Sequence, residues 1–183
     1  MSVKNIIQKV LKLLGKDEII ASMNAGDVLV GDMAVEVDGY VECLNIVRNE
    51  IASEFIPNVK VERVKANNGR VDFSSLSSEV IEILSVKDLF GNTLTFDVFD
   101  SYLTTSNLAV EIKYNASPEE LSLKSDFSST IPARIFVYGV IRESFFSQGL
   151  YEDAIVYEER FKNALQSLAR KKSETVLPRR RWE

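Results

Sequence analysis

A chain of 183 residues that is 45% apolar, with ten Phe, six Tyr and one Trp, can bury one sizeable core. Its single cysteine, Cys43, excludes an intrachain disulfide scaffold, and the absence of histidine removes the usual general base near neutral pH and the commonest metal ligand. The formal net charge of −5 is uneven: residues 170–183 hold six Lys or Arg against two acids, so that stretch carries +4 and the rest −9.

One compact unit that folds in a reducing cytoplasm is therefore expected, without cofactor or metal and not an enzyme. The apolar run Ile6–Leu14 is interrupted by Lys9 and Lys12, and no small-residue cleavage site follows. Neither a signal peptide nor a membrane span is expected.

Residues 3–14 place Ile6, Val10 and Leu13 at helical spacing, with Ile7, Leu11 and Leu14 beside them and Gly15 suited to end the helix. A shorter helix is predicted over Asp17–Met23, closed by the turn residues Asn24-Ala25-Gly26-Asp27. The clearest upstream period follows. Met33, Val37, Tyr40, Leu44, Val47, Ile51 and Phe55 step by three or four along one helical face, and Pro57 supplies the stop. Such a stripe reads as core, with Cys43 a small, half-buried apolar residue beside it.

From Asn58 the period changes to two. Val59 and Val61 alternate with charged residues, Asn67-Asn68-Gly69 is a hairpin-type turn, and Val71-Asp72-Phe73 continues the alternation. Val80–Val86, the turn Asp88–Asn92, and Leu94, Phe96 and Val98 come next. In the last strand Leu108, Val110, Ile112 and Tyr114 share one face. Residues 115–130 are polar and read as a loop. Beyond them Ile131–Gln148 is an apolar helix, with Ser129 or Thr130 as its cap and Pro132 in its first turn. Gly149 makes the left-handed connection to a second helix. That helix opens on Glu152 and Asp153, closes on Arg170-Lys171-Lys172, and carries the apolar line Tyr151, Ala154, Phe161, Leu165 and Leu168, with Ile155 alongside. The two helices should pack antiparallel.

The expected fold is α+β: an antiparallel helix bundle with an inserted small antiparallel β-sheet or sandwich and an extended basic C-terminal arm. Residues 1–57 and 131–172 would form the helical body, 58–117 the β insertion and 173–183 the arm.

The carboxylate pairs Asp97/Asp100, Glu119/Glu120 and Glu158/Glu159 are the only raw material for acid/base chemistry, and they read as solvated surface. Asp88–Asn92 lacks the ligand spacing of a calcium loop. The basic tail is either a solvated terminus or a segment that orders on a partner. Trp182 after three arginines and a proline favours the second, because Trp and Arg are enriched as interface anchors.

Three stretches carry a family resemblance. They are Ile131-Pro132-Ala133-Arg134-Ile135-Phe136-Val137-Tyr138-Gly139; then Gly149-Leu150-Tyr151-Glu152-Asp153-Ala154 with Tyr157-Glu158-Glu159-Arg160-Phe161-Lys162-Asn163-Ala164-Leu165; and Arg179-Arg180-Arg181-Trp182. Together they resemble the head-to-tail adaptor (connector) proteins of tailed bacteriophages, which similarly run a helix into a Gly-Xaa-Tyr-Glu-Xaa-Ala turn, a helix with an aromatic-basic pair, and a basic end with tryptophan. The order of N-terminal helices followed by a β insertion, with a strand like Leu108–Tyr114, fits as well. The resemblance implies a non-enzymatic virion protein of the neck, assembled in the host cytoplasm as a homo-oligomeric ring, commonly a dodecamer, beneath the portal. It implies that Arg179, Arg180, Arg181 and Trp182 dock into the portal protein and that the body receives a downstream tail or neck protein. DNA would pass through an acidic lumen without specific binding. The alternative is a nucleic-acid-binding regulator that uses the basic arm.

Overall fold

The computed structural model describes residues 1–172, with side chains through Leu168. The chain is α+β: among the described residues there are five α-helices and two small antiparallel sheets of three strands each. It divides into two compact units, one built from residues 1–47 together with those from 121 onward, the other from Arg48–Glu120. No helix among the described residues is long and apolar enough to cross a membrane.

The first unit is helical. It contains α1 (Val3–Leu13), α2 (Asp17–Ala25), most of α3 (Asp32–Glu50), α4 (Ala133–Ser147) and α5 (Tyr151–Lys172). Its core joins Val3, Ile6, Ile7, Val10 and Leu11 of α1 to Val37, Leu44 and Val47 of α3, Ile135, Val140 and Ile141 of α4, and Phe161 and Leu165 of α5. Leu13, expected on the apolar face of α1, is exposed. Helices α3, α4 and α5 approach closely at Gly139, where a Cβ would meet Val47 Cγ1 at 2.6 Å and Phe161 Cε2 at 3.1 Å. Only glycine fits that crossing.

A short antiparallel contact anchors the N-terminus: Val3 N donates to Ser125 O at 3.1 Å, and Phe127 N donates to Met1 O at 2.9 Å. Asn45 holds the start of the same loop by exchanging two 3.0 Å hydrogen bonds with the Leu121 backbone. Helix α4 starts one residue beyond the proline, because Pro132 (φ −59°, ψ 138°) takes the extended cap position, and no side chain caps that end. Ser129 Oγ instead accepts from Ile131 N at 3.0 Å. The α4–α5 connection closes as expected at Gly149 (φ 75°), with Gly149 N donating to Phe146 O and Leu150 N to Phe145 O.

Two stripe assignments need correction. Tyr151 and Ile155 point to solvent, while Ala154, Phe161 and Leu165 are buried. Along α3 and the turn after it, Val37, Tyr40, Leu44, Val47 and Ile51 are buried but the end members Met33 and Phe55 are exposed, and Cys43 is buried rather than half-buried.

The second unit begins with the last turn of α3 and a wide π turn, Ile51–Phe55, in which Ile56 N donates to Ile51 O at 2.8 Å. Ile56 is extended (φ −137°, ψ 97°) because Pro57 follows. Six strands follow: β1 (Val59–Lys65), β2 (Arg70–Asp72), β3 (Val80–Lys87), β4 (Phe96–Val98), β5 (Tyr102–Thr105) and β6 (Ala109–Ala116). The sheet orders are β1-β6-β3 and β2-β5-β4.

At Asn67–Arg70 a tight turn with positive φ at Asn68 (51°) and Gly69 (78°) has the hairpin form read from the sequence. The strands flanking it pair elsewhere, β1 with β6 and β2 with β5, so the turn passes the chain from one sheet to the other. Both sheets contribute to one core, Val71 and Leu103 from the smaller and Val86, Val110, Ile112 and Tyr114 from the larger. Strand β5 lies between the expected strands that end at Val98 and begin at Leu108. Leu108, expected on the strand with Val110, precedes β6 and is exposed, and Val59 and Val61 are the exposed members of the β1 alternation.

Candidate interaction surfaces

The three carboxylate pairs do not converge on a site. Asp97 on β4 lines a shallow hollow of about 300 Å³ with Thr95, Thr104 and Ser106, whereas Asp100 lines a different one with Asp72 and Glu79. Glu119 lies 3.9 Å from Lys60. Glu159 is exposed, and Glu158 is engaged in ion pairs within the helical unit. Among the described residues no group of three or more Cys, Asp or Glu side chains is placed to hold a metal ion.

The polar centre of the helical unit is Arg142, 3% exposed on α4. Its Nη1 lies 2.8 Å from Glu158 Oε2 and its Nη2 2.5 Å from Glu143 Oε1, and the guanidinium covers the Phe161 ring at 4.6 Å. Burial pushes the Glu158 carboxyl up, but hydrogen bonds from Lys162 and Arg142, together with their charges, outweigh it and hold the group below its usual range. Nearby, Tyr40 Oη donates to Glu36 Oε1 at 2.8 Å; burial first, and that carboxylate second, raise the phenol. The Cys43 thiol is pushed up to about 11, chiefly by burial and then by Glu143 and Glu42, so it is an inert core residue. The sequence carried a signal for this network that its apolar stripes passed over. Arg142 stands in step with Ile135, Tyr138 and Phe145, and Glu158 in step with Ala154, Phe161 and Leu165, so each interrupts a buried stripe with opposite charge.

Several apolar features are exposed. At the tip of the α4–α5 hairpin, Phe146 and Tyr151 lie with ring centroids 6.3 Å apart beside exposed Leu150 and Ile155. The α2–α3 linker exposes Val28 and Val30 and borders an open groove of about 610 Å³ floored by Met23, Leu29, Ala34 and Val37 and edged by Lys4, Lys124, Asp38 and Asp126. In the β unit, the turn after β3 displays Phe90 at 92% exposure beside Leu89. Asp88 ties that turn together. Its Oδ1 accepts from Phe90 N at 2.9 Å and Asn92 N at 2.8 Å, and its Oδ2 accepts from Asn92 Nδ2 at 2.8 Å. These bonds, led by that from Asn92, hold the carboxyl below its usual range. Because Lys87 pairs with Glu111, exposed Leu108 lies at the same end of the sheet. Fixed aromatic tips lose little entropy on binding and act as anchors.

Arg179, Arg180, Arg181 and Trp182, the residues named by the resemblance for portal docking, lie outside the described residues. No family model matches the chain, and no curated protein matches it.

Proposed function

We propose that this chain is a non-enzymatic head-to-tail adaptor of a tailed bacteriophage, a virion neck protein that forms a homo-oligomeric ring between the portal and the tail. The observation that carries the reading is that the first two resembling stretches lie on one hairpin. Ile131–Gly139 enters and builds the first half of α4, Gly149–Ala154 makes the connection, and Tyr157–Leu165 lies on α5, the helix that leads toward the basic arm. In this reading α1–α5 form a helix bundle that mounts the arm, the β region is a sandwich-like insertion, and Arg179–Arg181 with Trp182 dock in the portal. The exposed hairpin tip serves contacts between copies, and the Leu89/Phe90/Leu108 end of the β unit meets the downstream tail or neck protein. The acidic remainder of the chain suits a lumen that lets duplex DNA slide without holding it.

Deleting residues 173–183 should leave a folded protein, with a cooperative thermal transition, that no longer associates with its portal. Portal joining by the truncated chain at the full-length level would overturn the reading. The local charge of +4 in residues 170–183 favours a second reading, a regulator that binds nucleic acid. That reading alone requires duplex affinity to fall steeply with salt, a slope measured on the isolated protein.

A further inference from the structure

The larger sheet has two edge strands of unequal quality. Strand β3 carries register shifts at Val80/Glu82 and Ile83/Ser85, irregularities that blunt an edge against further pairing. Strand β1 carries none: its seven residues run in unbroken register from Val59↔Asn115 to Lys65↔Ala109, without proline. Its backbone orientation follows from two flanking hydrogen bonds. Ala66 N donates to Leu108 O at 2.8 Å and Ala116 N donates to Asn58 O at 2.9 Å, so even-numbered residues turn their polar groups toward β6. By alternation, the N–H and C=O groups of Val59, Val61, Arg63 and Lys65 face outward. Among the described residues none of them has a backbone partner, and Val59 and Val61 are 44% and 54% exposed. An edge strand in unbroken register, its outer side unpaired among the described residues and bearing exposed valines, is a template for another strand.

We propose that β1 is a pairing edge through which free chains associate as a two-fold dimer, β1 running antiparallel to β1 of a second copy and centred on Val61. The charges of the strand select both the occupant and the register. Centring on Lys60, Glu62, Arg63 or Lys65 sets that charge against itself, centring on Val64 sets Arg63 against Lys65, and centring on Val59 pairs no opposite charges and sets Val61 against Pro57, which has no N–H to give. Centring on Val61 sets Val61 against Val61, Lys60 against Glu62 twice and Val59 against Arg63, with no like charges opposed. The outward-facing backbone of Val61 then meets its own copy in a hydrogen-bonded pair. One strand pair buries less than the roughly 1,200 Å² of a standard interface, so the dimer is weak and concentration-dependent. A two-fold contact does not propagate around a closed ring, so the pairing is a property of the free protein and stands apart from the adaptor reading.

Sedimentation equilibrium of the full chain over a concentration series tests the proposal. The mass should rise from one copy toward two. Val61→Pro removes an outward N–H that its own sheet does not use, so this variant should keep the wild-type circular dichroism and remain at one-copy mass. Val61→Cys should give a disulfide-linked dimer under mild oxidation, whereas Val59→Cys, opposite Arg63, should not; Cys43, buried and inert, is the internal control. A one-copy mass at every concentration would overturn the proposal and leave the edge to a strand of another protein. Association that survives Val61→Pro, or equal cross-linking from positions 59 and 61, would overturn it too.

Discussion

Arg142 Nη1 on α4 lies 2.8 Å from Glu158 Oε2 on α5, an ion pair whose cation is almost wholly buried while its carboxylate remains about a quarter exposed. Removing Glu158 leaves Arg142 with the neighbouring Glu143 and little water. Since breaking a buried pair costs about 3–5 kcal/mol and Glu143 retains part of the compensation, Glu158→Gln should lower stability by roughly 2 kcal/mol in urea unfolding. The sign with pH follows from the lowered carboxyl. Its contribution is complete above the unfolded value of about 4.3 and disappears as pH falls through the lower folded value. Wild type should therefore lose more stability than the variant as pH is taken from about 6 to about 3.

Gly139 offers a test in which two effects oppose each other. Alanine is the better helix former by about 1 kcal/mol, but its Cβ would sit 2.6 Å from Val47 Cγ1 and 2.9 Å from Cγ2. Overpacking of a tight core costs about 1–3 kcal/mol, so packing wins. Gly139→Ala should lower the thermal midpoint, whereas the same change at Gly39, where nothing lies within 4 Å, should not.

Asn115, 2% exposed on β6, joins the π turn to the strand that follows it. Its Nδ2 donates to Ala52 O at 2.7 Å and its Oδ1 accepts from Asn58 N at 2.8 Å. Asn115→Ala orphans both backbone groups and should cost about 2–3 kcal/mol in chemical denaturation. Hydrogen exchange at the Asn58 amide should rise with it.

The Phe90 turn should respond differently, since Asp88 holds it from the surface. Asp88→Ala should quicken exchange of the Phe90 and Asn92 amides without moving the thermal midpoint of the chain.

Local patterns made much of this fold legible. The steps of three and four in Val37, Tyr40, Leu44, Val47 and Ile51 mark a helix because 3.6 residues per turn put them on one face, and Asn67-Asn68-Gly69 marks a tight turn because Asn and Gly tolerate positive φ. Which apolar residues would be covered was less legible. Tyr151 and Ile155 share the helical period of Ala154 and Phe161 but lie outside the strip that packs against α4, and periodicity alone does not mark the edge of a contact. The candidate surfaces were hardest to foresee: Asp88–Asn92 reads as a turn in the sequence, but only the folded chain shows that Phe90 within it stands 92% exposed.

Strand β1 shows the division most clearly. Its sequence by itself determined an extended segment of alternating character, since a two-residue period follows from the backbone pleat. Tertiary structure decided that β6 lies on one edge, that Lys60, Glu62 and Val64 share the side of Val110, Ile112 and Tyr114, and that Val59 and Val61 remain outward. The same division holds for Arg142. Its charge is written in the sequence, but only the packing of α4 against α5 brings Glu158 to within 2.8 Å. Periods are set by bonds between near neighbours in the chain, whereas covered faces and paired charges depend on contacts between distant segments, and the sequence carries no local period for those.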